Sequence, residues 1–121
     1  MARTKNKITR NGNRIFLDDS VDILKLAEDH RFCVKSVCSE IGLTTLQFET
    51  LMLKYLEIKP KDLFCKHRAV LARRLMKEGT PMQAISSFLG FKNYSHFCLE
   101  IKRFYGTSPR KLSKQLISYQ Q

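Results

Sequence analysis

The chain has 121 residues, of which 43% are hydrophobic, and it carries a formal net charge of +11. A chain of this length can form one small domain with a modest core. It has no run of about 18 apolar residues, which excludes a membrane-spanning helix, and its N-terminus lacks the apolar segment of a signal peptide. The excess of 22 Lys and Arg over 11 Asp and Glu favours a polyanionic partner.

The first segment of the chain is basic. Residues 1–14 contain five basic and no acidic side chains, and few segments anywhere in the chain suggest strands. The sequence therefore predicts a flexible basic arm over residues 1–17, followed by an all-α domain over residues 18–121. Two roles stay open for the arm: a solvated tail, or a segment that follows the phosphate backbone of a nucleic acid.

A first helical unit is predicted over residues 18–60. The stretch VCSEIGLTTLQFETLMLKYLEIKPKDL combines a short helix, a turn at Gly42 and a longer helix. The residues of the longer helix that share its inner face by helical spacing are Phe48, Met52 and Tyr55. The residues that face outward are Leu46, Thr50 and Leu53.

One long helix is predicted over residues 61–78, because KDLFCKHRAVLARRLMKEG contains no proline and no glycine before Gly79. Its apolar stripe at helical spacing consists of Leu63, His67, Val70, Leu71 and Leu75. This helix is the simplest connection between the first helical unit and a second one over residues 79–121.

The second unit opens with a short helix. Thr80 and Gln83 fit a capping box, in which the Thr hydroxyl and the Gln side chain satisfy free amides of the first turn. Gly90 ends this helix. Asn93 is then a suitable N-cap for a longer helix, and Gly106 suits the left-handed position that ends it.

The longer helix of the second unit has two distinct faces. Phe97, Ile101 and Phe104 lie at i, i+4 and i+7, which predicts a buried side. The opposite side is partly basic. A short helix, a glycine turn and a longer helix with a basic face form the pattern of a helix-turn-helix, whose second helix can lie in the DNA major groove. Pro109, preceded by a capping serine, opens a further helix.

The two units are an internal repeat. Gly42 aligns with Gly90 at an offset of 48 residues, and Pro60 aligns with Pro109 at an offset of 49. The inner-face positions of the two longer helices also correspond. A single helix-turn-helix pattern is a weak signal, but a repeat that keeps the turn glycine, the core positions and the terminal proline is a strong one.

With these motifs in place, the sequence resembles the DNA-binding domain of the AraC family of bacterial transcription regulators, over roughly Val21 to Leu116. The matching residues of the second unit are Gly90, Phe91, Ser95, Phe97, Lys102, Gly106, Ser108 and Pro109. Those of the connecting helix are Arg68, Ala72, Leu75 and Met76. The resemblance implies seven helices, in two helix-turn-helix units joined by a long helix. It also implies that two recognition helices enter successive major-groove segments of one duplex.

The function implied by the resemblance is a sequence-specific regulator of transcription, an activator, that binds double-stranded DNA. The family is usually met fused to an effector-binding domain, and this chain resembles its short stand-alone members. We expect a cytoplasmic, nucleoid-associated monomer without a cofactor, a metal or a membrane partner. An RNA polymerase subunit or a second regulator stays open as a further partner.

The predicted DNA contacts form three groups. The base-reading group of the second unit is Tyr94, Ser95, His96 and Leu99. The weaker base-reading group of the first unit is Thr45, Leu46, Glu49 and Thr50. The phosphate-binding group is Lys54, Arg68, Lys92, Asn93, Lys102, Arg103, Arg110 and Lys111. The second group is called weaker because residues 15–58 carry a net charge of −4, whereas residues 59–121 carry +10.

The sequence departs from the family at two reading positions. Family members commonly have arginine where Thr50 and Leu99 stand. Because arginine paired with guanine is the commonest specific base contact, strong guanine recognition is not expected. Leu46 and Leu99 can contact thymine methyl groups or form plain apolar surface, and the face from Leu46 to Leu53 can dock a protein. The rival interpretation is therefore a protein-interaction module of AraC-like fold that docks a regulator or polymerase subunit and binds nucleic acid loosely.

Other chemistry has little support in the sequence. The four cysteines form no Cys-x-x-Cys pair, and two short Cys/His pairs do not supply the four ligands of a structural zinc site. Cys38 is expected in the core, and a redox role for Cys98 stays open. Glu49 and Glu100 are expected to be solvated on helix flanks. No catalytic triad or phosphate-binding glycine loop occurs, so we do not expect an enzyme.

Overall fold

A computed structural model describes the backbone of residues 6–119 and the side chains of residues 6–117. In this part of the chain there are three strands, β1 (Ile8–Asn11), β2 (Arg14–Leu17) and β3 (Val21–Asp22). The helices there are α1 (Ile23–Asp29), α2 (Val34–Ile41), α3 (Thr45–Leu56), α4 (Pro60–Lys77), α5 (Met82–Phe88), α6 (Tyr94–Tyr105) and α7 (Pro109–Tyr119). The chain divides within α4, after Cys65, into an N-terminal and a C-terminal unit. None of the helices between residues 6 and 119 is long and apolar enough to cross a membrane.

The N-terminal segment is a small antiparallel sheet, which corrects the all-α prediction. Strand β1 pairs with β2, with Ile8 opposite Leu17, and β2 pairs with β3. Gly12 opens the two-residue loop of the hairpin with φ of 63°, as a type II′ turn requires. Residues 8–17 of the predicted flexible arm are therefore mostly paired strands, and residues 1–5 lie outside the described residues. Ile8, Ile15 and Leu17 are buried, and the sheet packs against α1 and α3.

The first helix-turn-helix consists of α2 and α3. Helix α2 ends at Gly42, which has φ of 74° and donates its N–H to the Cys38 carbonyl. Helix α3 begins with a capping box: the Gln47 N–H donates to the Thr44 hydroxyl at 3.0 Å, and the Gln47 side chain accepts from the Thr44 N–H at 2.9 Å. The buried residues of the pair include Val37, Cys38, Phe48 and Met52. Tyr55, predicted to face inward, is exposed.

The connecting helix is confirmed as one uninterrupted element, α4. Its buried residues include Leu63, Phe64, Arg68, Ala69, Ala72 and Met76. Of the predicted stripe, Leu63 is buried and Val70 is exposed, while the other three members are half-buried. The prediction is wrong in part because it treats Arg68 as a surface residue, whereas an arginine with a buried partner can lie on the inner side of a helix.

The start of the second helix-turn-helix differs from the predicted capping box. Gly79 ends α4 with φ of 83°, and the Thr80 N–H donates to the Leu75 carbonyl at 3.0 Å. Thr80 therefore belongs to the closing turn of α4. Pro81 becomes the N-cap of α5, which has no side-chain cap.

Helix α6 has the predicted ends. The Asn93 side chain accepts from the His96 N–H at 2.8 Å, and Gly106 follows the helix with φ of 72°. Phe97 and Ile101 are fully buried, while Phe104, also predicted to face inward, is 42% exposed. Pro109 opens α7, and the Ser108 hydroxyl accepts from the Lys111 N–H at 3.3 Å.

The structure confirms the internal repeat. Helices α3 and α6 each have 12 residues, and the turn glycines have nearly the same φ, 74° at Gly42 and 77° at Gly90. Phe48 and Phe97 occupy equivalent, fully buried positions. The extra residue of the second unit lies between the turn glycine and the recognition helix, where three residues replace two.

Candidate nucleic-acid interface

Helix α6 presents the predicted base-reading group to solvent. Ser95 and His96 lie in its first turn and are exposed, Leu99 is 64% exposed one turn later, and Tyr94 is exposed at the beginning of the helix. Ser95 and His96 lie four and three positions before Leu99, and these spacings place residues on one side of a helix. The four residues therefore form a continuous outer surface, which we call the α6 reading face.

The opposite side of α6 is fixed within the C-terminal unit. Phe97 and Ile101 are fully buried. The Tyr105 hydroxyl donates to the Ala69 carbonyl of α4 at 2.9 Å, and burial raises the pKa of this hydroxyl above its ordinary value. It is therefore protonated at neutral pH and can keep donating. These contacts determine which side of the helix is left for a partner.

Glu100 and Arg68 correct two predictions. Glu100 was expected to be solvated and Arg68 to bind phosphate, yet their exposed fractions are 5% and 9%. The Arg68 guanidinium donates twice to the Glu100 carboxylate, from Nε at 2.8 Å and from Nη2 at 2.6 Å. Arg68 is therefore unavailable to DNA, and the only acidic charge of α6 is neutralised inside the protein.

The charge that α6 offers to solvent is consequently positive. Lys102 and Arg103 lie in its last turn and are exposed. The equivalent residues of α3 are Leu53 and Lys54, so α3 has one cation where α6 has two. A surface of one sign attracts a polyanion and forms salt-dependent contacts with its phosphates. Of the two recognition helices, α6 is the better suited to such a partner.

Further exposed cations flank α6 in the C-terminal unit. Lys92 precedes the helix, and Arg110 and Lys111 lie in the first turn of α7. The described residues provide no ion-pair partner for any of these three, nor for Lys102 and Arg103. All five cations are therefore available to an external anion. Asn93, placed in the same predicted group, uses its side-chain oxygen to cap α6.

A concavity of about 430 Å³ beside the reading face contains residues that sequence reasoning missed. It is lined by Pro81, Met82, Gln83, Tyr94, Arg110, Ser113 and Lys114. Gln83 and Lys114 were not predicted to bind DNA, although Lys114 follows Arg110 by one helical turn, which places the two on one side of α7. The lining includes two cations and no acidic residue. The positive surface therefore extends from α6 across the start of α7.

Tyr94 connects this concavity with the reading face. Burial raises the pKa of its hydroxyl, the neighbouring Cys98 thiol raises it further, and the positive charge of Arg110 lowers it. The hydroxyl is therefore protonated at neutral pH and can donate to an acceptor. Cys98 is half-buried beside it, and its suggested redox role stays a prediction.

The outer face of α3 is apolar. Leu46 is 73% exposed and Leu53 is 46% exposed, two helical turns apart. Between them, the Thr50 hydroxyl donates to the Leu46 carbonyl at 2.8 Å. The proton of that hydroxyl is thus occupied within the helix, which leaves Thr50 a methyl group and an accepting oxygen to offer a partner.

The other members of the first reading group both interact with Cys38 of α2, although Thr45 is exposed and Glu49 is half-buried. The Thr45 hydroxyl forms a hydrogen bond with the Cys38 thiol, and the negative charge of Glu49 acts on the same thiol. Burial is the main reason that the pKa of Cys38 is raised, which agrees with its predicted place in the core. Lys54 lies 5.2 Å from the Tyr55 ring centre. Helix α3 therefore has a less basic outer surface than α6.

No other site chemistry is evident in the described residues. Between residues 6 and 119, no three His, Cys, Asp or Glu side chains form a group that could hold a metal ion. Cys33 is exposed at the N-cap of α2. Its pKa is lowered, chiefly by a hydrogen bond with the Ser36 side chain.

The paired helix-turn-helix units and the positive α6 surface define a DNA-binding domain of double helix-turn-helix type. A sequence profile described as a helix-turn-helix domain matches residues 37–115, which is well over half of the chain. The chain therefore belongs to the AraC-type helix-turn-helix family, the DNA-binding, non-enzymatic domains of transcription regulators. The sheet β1–β3 and α1 precede the matched region. Comparison with curated proteins by sequence finds no significant match.

Solved structures of regulators share the fold. An AraC-type transcriptional regulator from Chromobacterium violaceum has a TM-score of 0.66 at 21% identity, over 78% of this chain and 88% of that one. A DNA-binding transcriptional dual regulator from Escherichia coli K-12 has a TM-score of 0.68 at 15% identity, over 79% of this chain and 89% of that one. The C-terminal domain of AraT, a response regulator from Geobacillus stearothermophilus, has a TM-score of 0.66 at 19% identity, over 77% of this chain and 84% of that one. At these identities the similarity is one of fold.

Proposed function

We propose that the protein binds specific double-stranded DNA sequences in the cytoplasm and that α6 is its principal reader. The observation that carries the proposal is the composition of the α6 surface. Ser95, His96 and Leu99 are exposed together, Lys102 and Arg103 lie beside them, and the acidic residue of the helix is buried in an ion pair. A helix with polar base-edge contacts and flanking cations is suited to the major groove.

The proposed roles follow from the side chains. The Ser95 hydroxyl can donate to or accept from a base edge, and a His96 ring nitrogen can do the same. Leu99 replaces the arginine common in the family and offers contact with a thymine methyl group. We therefore expect the preferred site to depend on thymine and adenine at the positions under α6. Lys92, Lys102, Arg103, Arg110 and Lys111 are the proposed phosphate contacts, joined by Gln83 and Lys114.

Helix α3 is the proposed weaker reader. Leu46 is its most exposed apolar side chain, and Thr50 presents a methyl group beside it. Thr45 and Glu49 have a smaller part, because both side chains interact with Cys38. Lys54 is the one phosphate contact proposed for this helix.

Selection of binding sites from randomised duplexes tests the proposal. Repeated rounds should enrich one motif, and a duplex carrying that motif should bind more tightly than a scrambled duplex of equal length and composition. Specific binding typically exceeds non-specific binding by about 10³-fold or more at physiological salt. Equal affinity for the selected and scrambled duplexes would contradict sequence-specific binding.

A second candidate function is favoured by the apolar face of α3. Leu46 and Leu53 are both substantially exposed on one helix, and an exposed apolar patch is a typical site for a protein partner. In this alternative the face docks a regulator or an RNA polymerase subunit, and the C-terminal unit binds nucleic acid loosely. The scrambled-duplex comparison separates the two candidates, because a loose binder coats both duplexes alike.

Activation is the proposed direction of regulation, and its support is the family resemblance. The direct test is a reporter gene placed downstream of the selected motif, with the motif scrambled as the control. Activation predicts higher transcription only when both the protein and the intact motif are present. Lower transcription with the intact motif would identify a repressor.

A further inference from the structure

The buried Arg68–Glu100 pair joins two helices of the C-terminal unit at a single point. Arg68 lies on α4, Glu100 lies on α6, and the fork of the guanidinium meets both carboxylate oxygens at 2.8 and 2.6 Å. The guanidinium carbon also lies 4.0 Å from the centre of the Phe91 ring. Phe91 belongs to the turn that connects α5 with α6. Arg68 therefore contacts the turn and the recognition helix at the same time.

The contacts of Phe91 continue toward the reading face. Its ring meets the His96 ring edge-on, with centroids 5.6 Å apart, and the Phe97 ring at 5.2 Å. Phe97 is fully buried, whereas His96 is exposed. A continuous set of packed groups thus leads from Arg68 to a proposed base-reading residue.

The energetics of a buried ion pair suggest that the Arg68–Glu100 pair orients α6 more than it stabilises the fold. Well-packed apolar side chains of similar size are often as stabilising as a buried pair, because desolvation of the charges offsets their attraction. A planar guanidinium held by two parallel hydrogen bonds is, however, strongly directional. Together with the Tyr105–Ala69 hydrogen bond on the neighbouring residue of α4, it restricts rotation of α6 about its own axis.

Rotation of α6 matters because base contacts tolerate little displacement. Side-chain ends lie about 6 Å from a helix axis, so a rotation of about 20° moves them by about 2 Å. Hydrogen-bond lengths span only about 0.5 Å. A small change in the setting of the helix would therefore remove one base contact or exchange it for another.

We infer that Arg68 is a positioning residue for sequence recognition: by holding Glu100 and Phe91, it sets the rotation of α6 and hence the bases that Ser95 and His96 meet. The inference rests on the proposed function, since it concerns the same reading face. Arg68 acts through protein contacts and does not itself contact DNA.

The test replaces the pair while keeping the core filled. In the double variant Arg68→Met/Glu100→Met, both charges are removed together, so neither is left buried and unpaired. The Arg68→Lys variant keeps the charge and a hydrogen-bond donor but loses the planar fork and its two parallel hydrogen bonds. Arg74→Met is the matched control, since Arg74 is an exposed arginine of the same helix. Circular dichroism and thermal unfolding identify the folded variants.

Each folded variant is then measured for its preference among single-base changes in the selected motif, and for its salt dependence. A base contact gives on the order of tenfold discrimination or more. We expect this discrimination to fall toward unity, at the positions that a Ser95→Ala variant also affects, in the double and Arg68→Lys variants but not in the Arg74→Met control. The salt slope of the double variant should stay unchanged, because a buried arginine contributes no phosphate contact.

The outcomes separate the inference from the proposed function. An unchanged motif in either folded variant would overturn the positioning role, because the ion pair would then serve stability alone. A salt slope lowered by about one unit in the double variant would also overturn it, since Arg68 would then reach the DNA. If the wild-type protein itself shows no sequence preference, the proposed function fails first and the inference fails with it. The Arg68→Lys variant carries the test if the double variant does not fold.

Discussion

Replacing Lys102 by alanine removes a cation from the exposed last turn of α6 and leaves its buried side intact. We expect Lys102→Ala to weaken DNA binding about equally for all sequences, because a lysine–phosphate contact carries no base information. The protein should remain folded, since an exposed substitution of this kind changes stability by about 0.5 kcal/mol or less. The assay is a series of binding titrations at increasing salt.

The magnitude follows from counterion release. Five exposed cations flank the α6 reading face and have no ion-pair partner among the described residues, namely Lys92, Lys102, Arg103, Arg110 and Lys111. If each binds one phosphate, affinity falls several hundredfold between about 50 and about 200 mM salt. Each contact accounts for about 0.9 of the slope, or about a 3.5-fold change over this range. Lys102→Ala should therefore lower the slope by about one unit.

The matched control is Leu53→Ala, which changes the equivalent position of α3. It should hardly affect DNA affinity, because Leu53 carries no charge and its face of α3 is free or reserved for a protein. A flat salt response of the wild-type protein would refute the electrostatic reasoning. If Leu53→Ala or Thr50→Ala costs more affinity than Lys102→Ala, the ranking of the two helices is wrong and α3 is the principal reader.

Three further predictions concern the protein alone. It should sediment as a monomer without DNA, because both reading helices lie in one chain. A stable dimer, or a strictly palindromic selected site, would contradict the monomer. Cys33 should react with iodoacetamide faster than Cys38 at pH 8, because the lowered pKa of Cys33 gives more thiolate and burial raises the pKa of Cys38. Mass spectrometry after partial labelling measures the order, and faster labelling of Cys38 would contradict it. Phe97→Ala should lower the free energy of unfolding by about 3–5 kcal/mol and Phe104→Ala by much less, because only Phe97 is fully buried; equal losses in denaturant titrations would contradict the packing.

The repeat was predictable because its signals are local. Gly42 and Gly90 both have φ near 75°, a conformation that favours glycine over residues with a side chain. Asn93 and Gly106 mark the two ends of α6 by equally local rules. Buried positions such as Phe48 then follow from helical spacing once the helix ends are known.

The sheet was missed although the sequence contained a signal for it. The pair Gly12-Asn13 between short alternating segments is a recognised two-residue hairpin loop, with buried Ile8 on one strand and Ile15 and Leu17 on the other. The basic charge of the segment favours a flexible arm, but charged side chains also occur on the exposed side of strands. Composition alone therefore does not distinguish a strand from a tail.

The environment of α6 was unpredictable for a different reason. Arg68 and Glu100 are 32 residues apart, and no local rule pairs them. Each residue alone is typical of a solvated surface, and only the packing of α4 against α6 within the C-terminal unit brings them together. Thr80 is a second case, at shorter range. Its residue type suits the N-cap of α5, but its N–H closes the last turn of α4 instead.

The most direct measurement of the central claim is a parallel selection from one pool of randomised duplexes with the wild-type protein, Ser95→Ala and Thr50→Ala. Both substitutions shorten a small exposed side chain, one on α6 and one on α3. If α6 is the principal reader, Ser95→Ala should relax or alter the selected motif at one or two positions, at about 1–3 kcal/mol per lost base discrimination, while Thr50→Ala should return the wild-type motif. A motif altered by Thr50→Ala and unaffected by Ser95→Ala would contradict the claim and assign sequence recognition to α3.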